Sequence, residues 1–596
     1  MNTPRLLSKR KGYLYFWVIG FLFVFFWKTE KNLAEQGNIL WTAKYTKTTL
    51  GLSLLVGLIL GSICAYVMYR LAKRKGTRCS FAKQDLALDS EETMPKIKAD
   101  AQSVTITSIQ ARIEALTQGR VFWFSLLLIS LSWLPAYLAY YPGICSYDTS
   151  IQTGQIVQNI YIDHHPIMHT LMLEWAMELG SMVFGEVNTG IGLYTLGQML
   201  FLAASMSYGM KVLHQFGVKV WLQIVVLLSN MLYPFHWYMS ISTTKDTIFS
   251  SFLVLFLVAL VALLLEDKNQ FCIGKREFLL VVSAIGVILF RNNGKYAMMV
   301  LLTFLLVMVI GGKGRRKLFG KLLICVTVAF IVGNLLLSFL FSVTNAEQGD
   351  RREMLSMPIQ QLARCMIYHG GVGVLPEDDN TMSQVDKALI NDFILNEGYK
   401  DYNPHLSDMV KTHTNTYVVR YRTKEFVQSY LRLFTSYPGD FVNAALAVNA
   451  GFLYPDDISH ANVNKRNNAQ NMGYVQTRWV DHELNPRGIY KASKWEGLRE
   501  KMEQWAENNE YLKLPVIKYI FVPGSYLWFY LLLLGYFLIN RKYRMCLPIA
   551  FVGGYYFTMF LGPTVQLRYL YPLMIVLPYL VLLAREKYLC EDIKND

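Results

Sequence analysis

The chain has 596 residues, 53% of them hydrophobic and only 17% charged, with a net charge of +15. Soluble domains carry about 25% charged residues, so a soluble globular protein is excluded. Several apolar runs approach the roughly 20 residues needed to cross a bilayer, which marks a polytopic membrane protein. The positive excess does not point to nucleic acid, because Lys and Arg fall in short clusters between apolar runs, the distribution that membrane topology produces.

In chain order, the first run, about 13–27, follows Arg5, Lys9, Arg10 and Lys11, which places the N-terminus in the cytoplasm. No small-residue cleavage site follows, so it reads as a retained helix. A second run, about 48–69, precedes Arg70, Lys73, Arg74, Lys75 and Arg78, completing a two-span segment over 1–79. Residues 80–120 read as a polar cytoplasmic linker. The third run, about 121–141, exits on the outer face and opens a core over 121–342, with a first external loop at 142–188. Within that loop His169, Glu174 and Glu178 interrupt a moderately apolar stretch, as in helices lying along the interface. Further spans are expected at about 189–210, 219–237, 246–265, 277–290, 295–311 and 318–342. Residues 343–515 read as an external, mainly α domain, and 516–596 as three last spans (about 516–539, 545–561 and 568–585) with a cytoplasmic tail. The expected architecture is therefore all-α, with about twelve transmembrane helices and both termini cytoplasmic. The eight cysteines lack CxxC spacing, so no zinc or disulfide framework is indicated.

This topology carries polar motifs to one external, lipid-adjacent face, where ionisable groups are usually functional. Asp148 follows the turn Tyr141-Pro142-Gly143. It suits a helix cap, a general base or a metal ligand. His164-His165-Pro166 suits a metal pair, a proton shuttle or a helix start; adjacent histidines face different sides, so one is expected toward a site and one to be structural. Lys245-Asp246 opens a long apolar run, either as a cap with a snorkelling Lys or as an anion contact. Arg291-Asn292-Asn293-Gly294 abuts Ile288-Leu289-Phe290, where a cation suits a lipid-linked phosphate. Arg568-Tyr569-Leu570-Tyr571-Pro572 repeats the theme at the last span.

The order of Ser146-Tyr147-Asp148, His-His-Pro, Lys-Asp, Arg-Asn-Asn-Gly, Pro358-Ile359-Gln360-Gln361-Leu362-Ala363-Arg364 and Arg568-Tyr569-x-Tyr571-Pro572 resembles the DUF6020-type bacterial multispanning proteins, related to GT-C glycosyltransferases. The resemblance covers about 120–585. It implies a GT-C-like integral membrane enzyme of the bacterial cell membrane, acting on the external face. The expected reaction moves a sugar from a polyprenyl-phosphate donor to an envelope glycan, glycolipid or wall polymer, with inversion. Asp148 matches the loop acid that serves as base. Lys245, Arg291 and Arg568 would hold the donor phosphate. Tyr147, His164, His165, Asp246, Asn292, Asn293, Gln360, Arg364 and Tyr569 would contact substrate. Many relatives have a second acid beside the first. Here Tyr147 precedes Asp148 and the next acid is Asp163, so a divalent metal (Mg or Mn, on Asp148, His164 or His165) stays open and no cofactor is certain.

Other readings make different demands. A flippase of lipid-linked saccharide needs polar groups through both leaflets, whereas here they gather at one face. A non-catalytic envelope-assembly protein makes no demand on Asp148. An acyl or phosphoglycerol transferase would lean on His164 or His165 instead.

Overall fold

The computed structural model describes residues 3–39, 41–88, 102–266, 270–311, 314–349, 351–455, 479–508 and 510–584. Helices dominate, and among the described residues the only β pairing is four isolated bridges. The chain opens with α1 (Thr3–Gln36), α2 (Ala43–Leu88) and α3 (Gln102–Ala139). The expected linker is thus helical at both ends, in keeping with its Ala, Lys, Gln and Arg content; positions 89–101 lie outside the described residues. α1 and α2 touch backbone to backbone. A Cβ on Gly61 would run into the Phe16 carbonyl oxygen, so Gly57-x-x-x-Gly61 is the small-residue stripe that permits this approach.

Two shorter helices follow, α4 (Tyr147–Gln158) and α5 (Ile167–Phe184), then α6 (Val187–Gln215). The expected span at 219–237 is broken: α7 (Val220–Leu232) and α8 (Pro234–Ile241) meet at 53°. Pro234 has no N–H to continue the ladder, and Tyr233 before it is extended. α9 (Lys245–Glu266) is the hub of the molecule. It packs against α6, α10 (Lys275–Phe290) and the last helix, and nearly nine-tenths of it is buried. A helix surrounded on all sides must be apolar on all sides. From Phe249 to Leu265 α9 carries no ionisable residue, and Lys245, Asp246 and Glu266 sit at its ends. α11 (Asn292–Gly311) and α12 (Arg316–Thr344) complete this part.

Residues 343–515 divide their buried residues among three cores. The helices α13 (Ser356–His369), α14 (Gln384–Phe393), α15 (Asp408–Thr412), α16 (Thr416–Tyr421) and α17 (Thr423–Ser436) enclose one of their own, from Ile359 to Phe441. α18 (Pro438–Leu453) instead places Ala447, Ala450 and Leu453 against Leu33 and Ile39 of the N-terminal hairpin. Beyond it, Leu484, Ile489, Met502 and Ala506, the last two on α19 (Glu496–Glu507), join the main core. The chain closes with α20 (Gly524–Ile539), α21 (Cys546–Phe560) and α22 (Leu567–Leu583).

Among the described residues, seven helices are long and apolar enough to cross a membrane, or eight if the bent pair is one span. The count falls short of the expected twelve for a physical reason. α10, α20, α21 and α22 have 16, 16, 15 and 17 residues, about 22–26 Å against a hydrocarbon core of roughly 30 Å. α20 starts late because Pro515 and Pro523 flank a single 3₁₀ turn, Ile517–Ile520.

Candidate functional site

After α3, Gly143 takes φ +151°, and a Cβ there would press on Thr195 Oγ1 at 2.6 Å. This turn lays Ile144 beside Ser242 in a parallel bridge. The Ile144 N–H donates to the Ile241 carbonyl (2.8 Å), and the Thr243 N–H donates to the Ile144 carbonyl (3.1 Å). Thr149 Oγ1 donates to the Thr243 carbonyl at 2.8 Å. Two segments nearly 100 residues apart are thereby strapped together, and each opens a helix: α4 with Asp148 in its first turn, α9 with Lys245 and Asp246.

Asp148 Oδ2 accepts from Lys245 Nζ at 2.9 Å and from Arg568 Nη1 at 2.7 Å. Lys245 also donates to His165 Nδ1 at 2.9 Å. An ammonium can only donate, so Nδ1 is the acceptor and the ring hydrogen sits on Nε2. That Nε2 is buried and has no partner among the described residues. Behind this layer lies Asp246, fully buried. Its Oδ1 is 2.8 Å from Arg291 Nη1 and its Oδ2 3.8 Å from Arg568 Nε, contacts of charge without hydrogen-bond geometry. Arg291 donates to the Tyr555 hydroxyl at 3.1 Å, which donates to the Tyr569 carbonyl at 2.9 Å. The Tyr569 ring lies under both guanidinium groups, 4.7 Å from Arg291 and 5.3 Å from Arg568.

Burial alone would raise the Asp148 pKa, but Arg568 and Lys245 outweigh it and hold the carboxyl well below its usual range. Burial, reinforced by Lys245, keeps His165 neutral, well below the usual imidazole range. Three cations against two carboxylates leave the cluster with one net positive charge.

Every charged member comes from the start of a helix. Asp148 is second in α4, Lys245 and Asp246 open α9, and Arg568 is second in α22. Arg291 immediately precedes α11, and His165 precedes Pro166, the N-cap of α5. Five positive dipole ends therefore border one net-positive cluster, against the one negative end of α10, whose C-cap is Arg291, and the excess of positive ends favours anions.

Not every residue singled out above reaches the cluster. His164 meets the edge of the His165 ring with centroids 4.5 Å apart, and its side chain is exposed. Tyr147 is 44% exposed beside Asp148. Asn292 and Asn293 fill the first turn of α11 and, among the described residues, make no side-chain bond to the charges. Gln360 and Arg364 belong elsewhere. Gln360 donates to the Asn403 carbonyl at 2.5 Å. Arg364 is fully buried and donates to Asp440 (3.1 Å), the Gly37 carbonyl (2.9 Å), Asn38 Oδ1 (2.8 Å) and Tyr402 (3.2 Å), which clamps α13 and α18 onto the α1–α2 turn. Tyr555, Gln566 (2.7 Å from Arg568 Nε) and the orphan hydroxyls of Ser146 and Thr244 were not anticipated. A tyrosine or serine within an apolar run carries no local signal of such a role.

The clamp extends to His369, whose Nε2 donates to Asp440 at 2.8 Å and whose Nδ1 faces Asp379 at 3.0 Å, with Tyr437 stacked on the ring. The bond to Asp440 raises the His369 pKa, and Asp379 adds to it against burial. A raised folded-state pKa contributes stability below the unfolded value of about 6.5, which is lost as pH rises through the folded value. The His369 side chain is 22% exposed and Asp379 47%, so solvent screening keeps the effect small. Between pH 6 and 9 the thermal midpoint should fall slightly from this group, and His369→Gln should flatten that fall.

The donor set does not suit a divalent metal. Asp148 Oδ2 and His165 Nδ1 are taken by cations, and an added cation would meet Lys245 and Arg568. Among the described residues no three of His, Cys, Asp or Glu converge as ligands.

Residues 158–592 match the model of a family of unknown function (DUF6020), so the chain belongs to that family. The match holds His165, Lys245, Asp246, Arg291 and Arg568, while Asp148 and the first three helices lie ahead of it. No curated protein and no solved structure matches the chain.

Proposed function

We propose that this member of the DUF6020 family is a membrane glycosyltransferase of the GT-C type, which moves a sugar from a polyprenyl-phosphate donor to an envelope glycan, glycolipid or wall polymer on the external face of a bacterial cell membrane. About twelve membrane crossings with both termini inside belong to the same reading, supported by the basic clusters between apolar runs. The observation that carries it is the sharing of Asp148 Oδ2 by Lys245 and Arg568 at the meeting of five helix starts. A carboxylate so paired is a poor base. A donor phosphate competes for the same two cations, and as it takes them the Asp148 pKa rises toward a value at which the group can accept a proton.

The step then balances. The acceptor hydroxyl oxygen attacks the anomeric carbon and its proton passes to Asp148. The bond from that carbon to the phosphate oxygen breaks, and its electron pair stays on the phosphate, facing Lys245 and Arg568. One displacement inverts the centre and needs no covalent sugar–enzyme intermediate. Arg291 and Asp246, one layer deeper, position Tyr569 and Arg568.

The test is transfer in membranes containing the chain, with radiolabelled polyprenyl-phosphate sugars as donors and surface polymers of the host as acceptors. Label should enter the polymer only where the chain is present. Label left wholly in the lipid with every donor would overturn the reading.

A further inference from the structure

A cleft of about 410 Å³ opens between the end of α4 and the end of α12, lined among others by Asn159, Tyr161, Thr344, Asn345 and Glu347. Its walls are fixed by backbone. The Glu347 N–H donates to the Tyr161 carbonyl (2.8 Å) and the Asp163 N–H to the Glu347 carbonyl (3.1 Å). The Tyr161 hydroxyl donates to Glu174 at 2.6 Å. The side chains of Asn159, Asn345 and Glu347 are exposed at its rim, Ile160 and Val343 complete the lining, and among the described residues no Lys or Arg lines the cleft.

The chemistry is the reverse of that at Asp148. Asn159 and Asn345 are the C-caps of α4 and α12, both left-handed (φ 53° and 48°), so two negative dipole ends border the cleft. Two amides, which donate and accept, and one carboxylate, which accepts, match vicinal hydroxyls. Glu347, with Asp163 and Glu174 beside it, repels anions. The cleft is also close to the charged cluster. Tyr161 and His165 are four residue steps apart, which is at most about 14 Å of chain.

We propose that this cleft binds a neutral or amine-bearing saccharide and serves as the acceptor subsite. Saccharide binding stands on the cleft alone; the acceptor role rests on the transferase reading.

The experiment takes the full chain in lipid nanodiscs to a glycan array holding neutral, amino and anionic glycans, with calorimetry on those that bind. Neutral or amino glycans should dominate. Asn345→Gly, in which glycine keeps the left-handed backbone, and Glu347→Gln should each weaken them about tenfold or more. The thermal midpoint and the binding of farnesyl phosphate should stay unchanged. Anionic glycans dominating, no glycan bound, or both variants binding like the wild type would each overturn the proposal. Saccharide binding that is lost in the variants, from a chain that binds no farnesyl phosphate, would uphold the saccharide site and remove the acceptor role together with the transferase reading.

Discussion

Asp148→Asn should lower sugar transfer by about 10²–10⁴-fold, the range a positioned acid or base contributes, while farnesyl phosphate binds at least as tightly as to the wild type. The two halves of this result come from one geometry. Asp148 Oδ2 occupies a hydrogen of Lys245 and one of Arg568, at 2.9 and 2.7 Å. A neutral amide of the same shape cannot accept the acceptor's proton, and it competes more weakly for those cations, leaving them to the phosphate. Lys245→Met should do the opposite. It removes a phosphate contact and leaves Asp148 paired to Arg568 alone, so donor binding falls first. Transfer rates follow from single-turnover assays, and affinities from calorimetry in nanodiscs. A variant that loses transfer and phosphate binding together would mean that Asp148 only builds the site. Unchanged transfer would move the base elsewhere.

The members of this cluster were legible because each is a charged residue at the boundary of an apolar run, where the hydrophobic background makes it stand out. Lys245, Arg291 and Arg568 show this most clearly. A helix start was legible at Lys245-Asp246 and at His165-Pro166, but not the convergence of five such starts, which depends on where each helix begins and how they pack. The break at Tyr233-Pro234 and the late start of α20 at Gly524 show how far hydropathy alone misplaces such points. Arg364 is the contrasting case. It also stands among apolar residues, but its partners Gly37 and Asn38 lie more than 320 residues away and its role is to fasten two parts of the chain. No spacing near Arg364 could have distinguished a clamp from a substrate contact. Asp148 is intermediate. Its importance could be inferred from its loop, whereas the double pairing that suppresses its basicity until an anion arrives required Arg568, 420 residues on.

The deeper pair should separate stability from chemistry. Arg291→Met is expected to destabilise the protein by about 3–5 kcal/mol, the penalty for leaving a buried charge without its partner. Asp246 is fully buried, neither of its oxygens has a hydrogen bond, and Arg291 at 2.8 Å is its near cation; Arg568 Nε stands at 3.8 Å. With Arg291 gone, the carboxylate draws on Arg568, which Asp148 also needs. Folding and the first layer of the site are therefore coupled through Arg568. Removing both charges, as Arg291→Met with Asp246→Asn, should recover most of the lost stability, because no unpaired charge remains and the methionine fills the space against Phe249 and Tyr569. Thermal unfolding of the full chain in nanodiscs, completed as a double-mutant cycle, gives the coupling directly. If the double variant is no more stable than Arg291→Met alone, Arg291 holds the fold through Tyr555 and the Tyr569 ring rather than through Asp246. Recovered stability with transfer still impaired would show that the Arg291–Asp246 pair sets the position of Arg568 at the reacting phosphate.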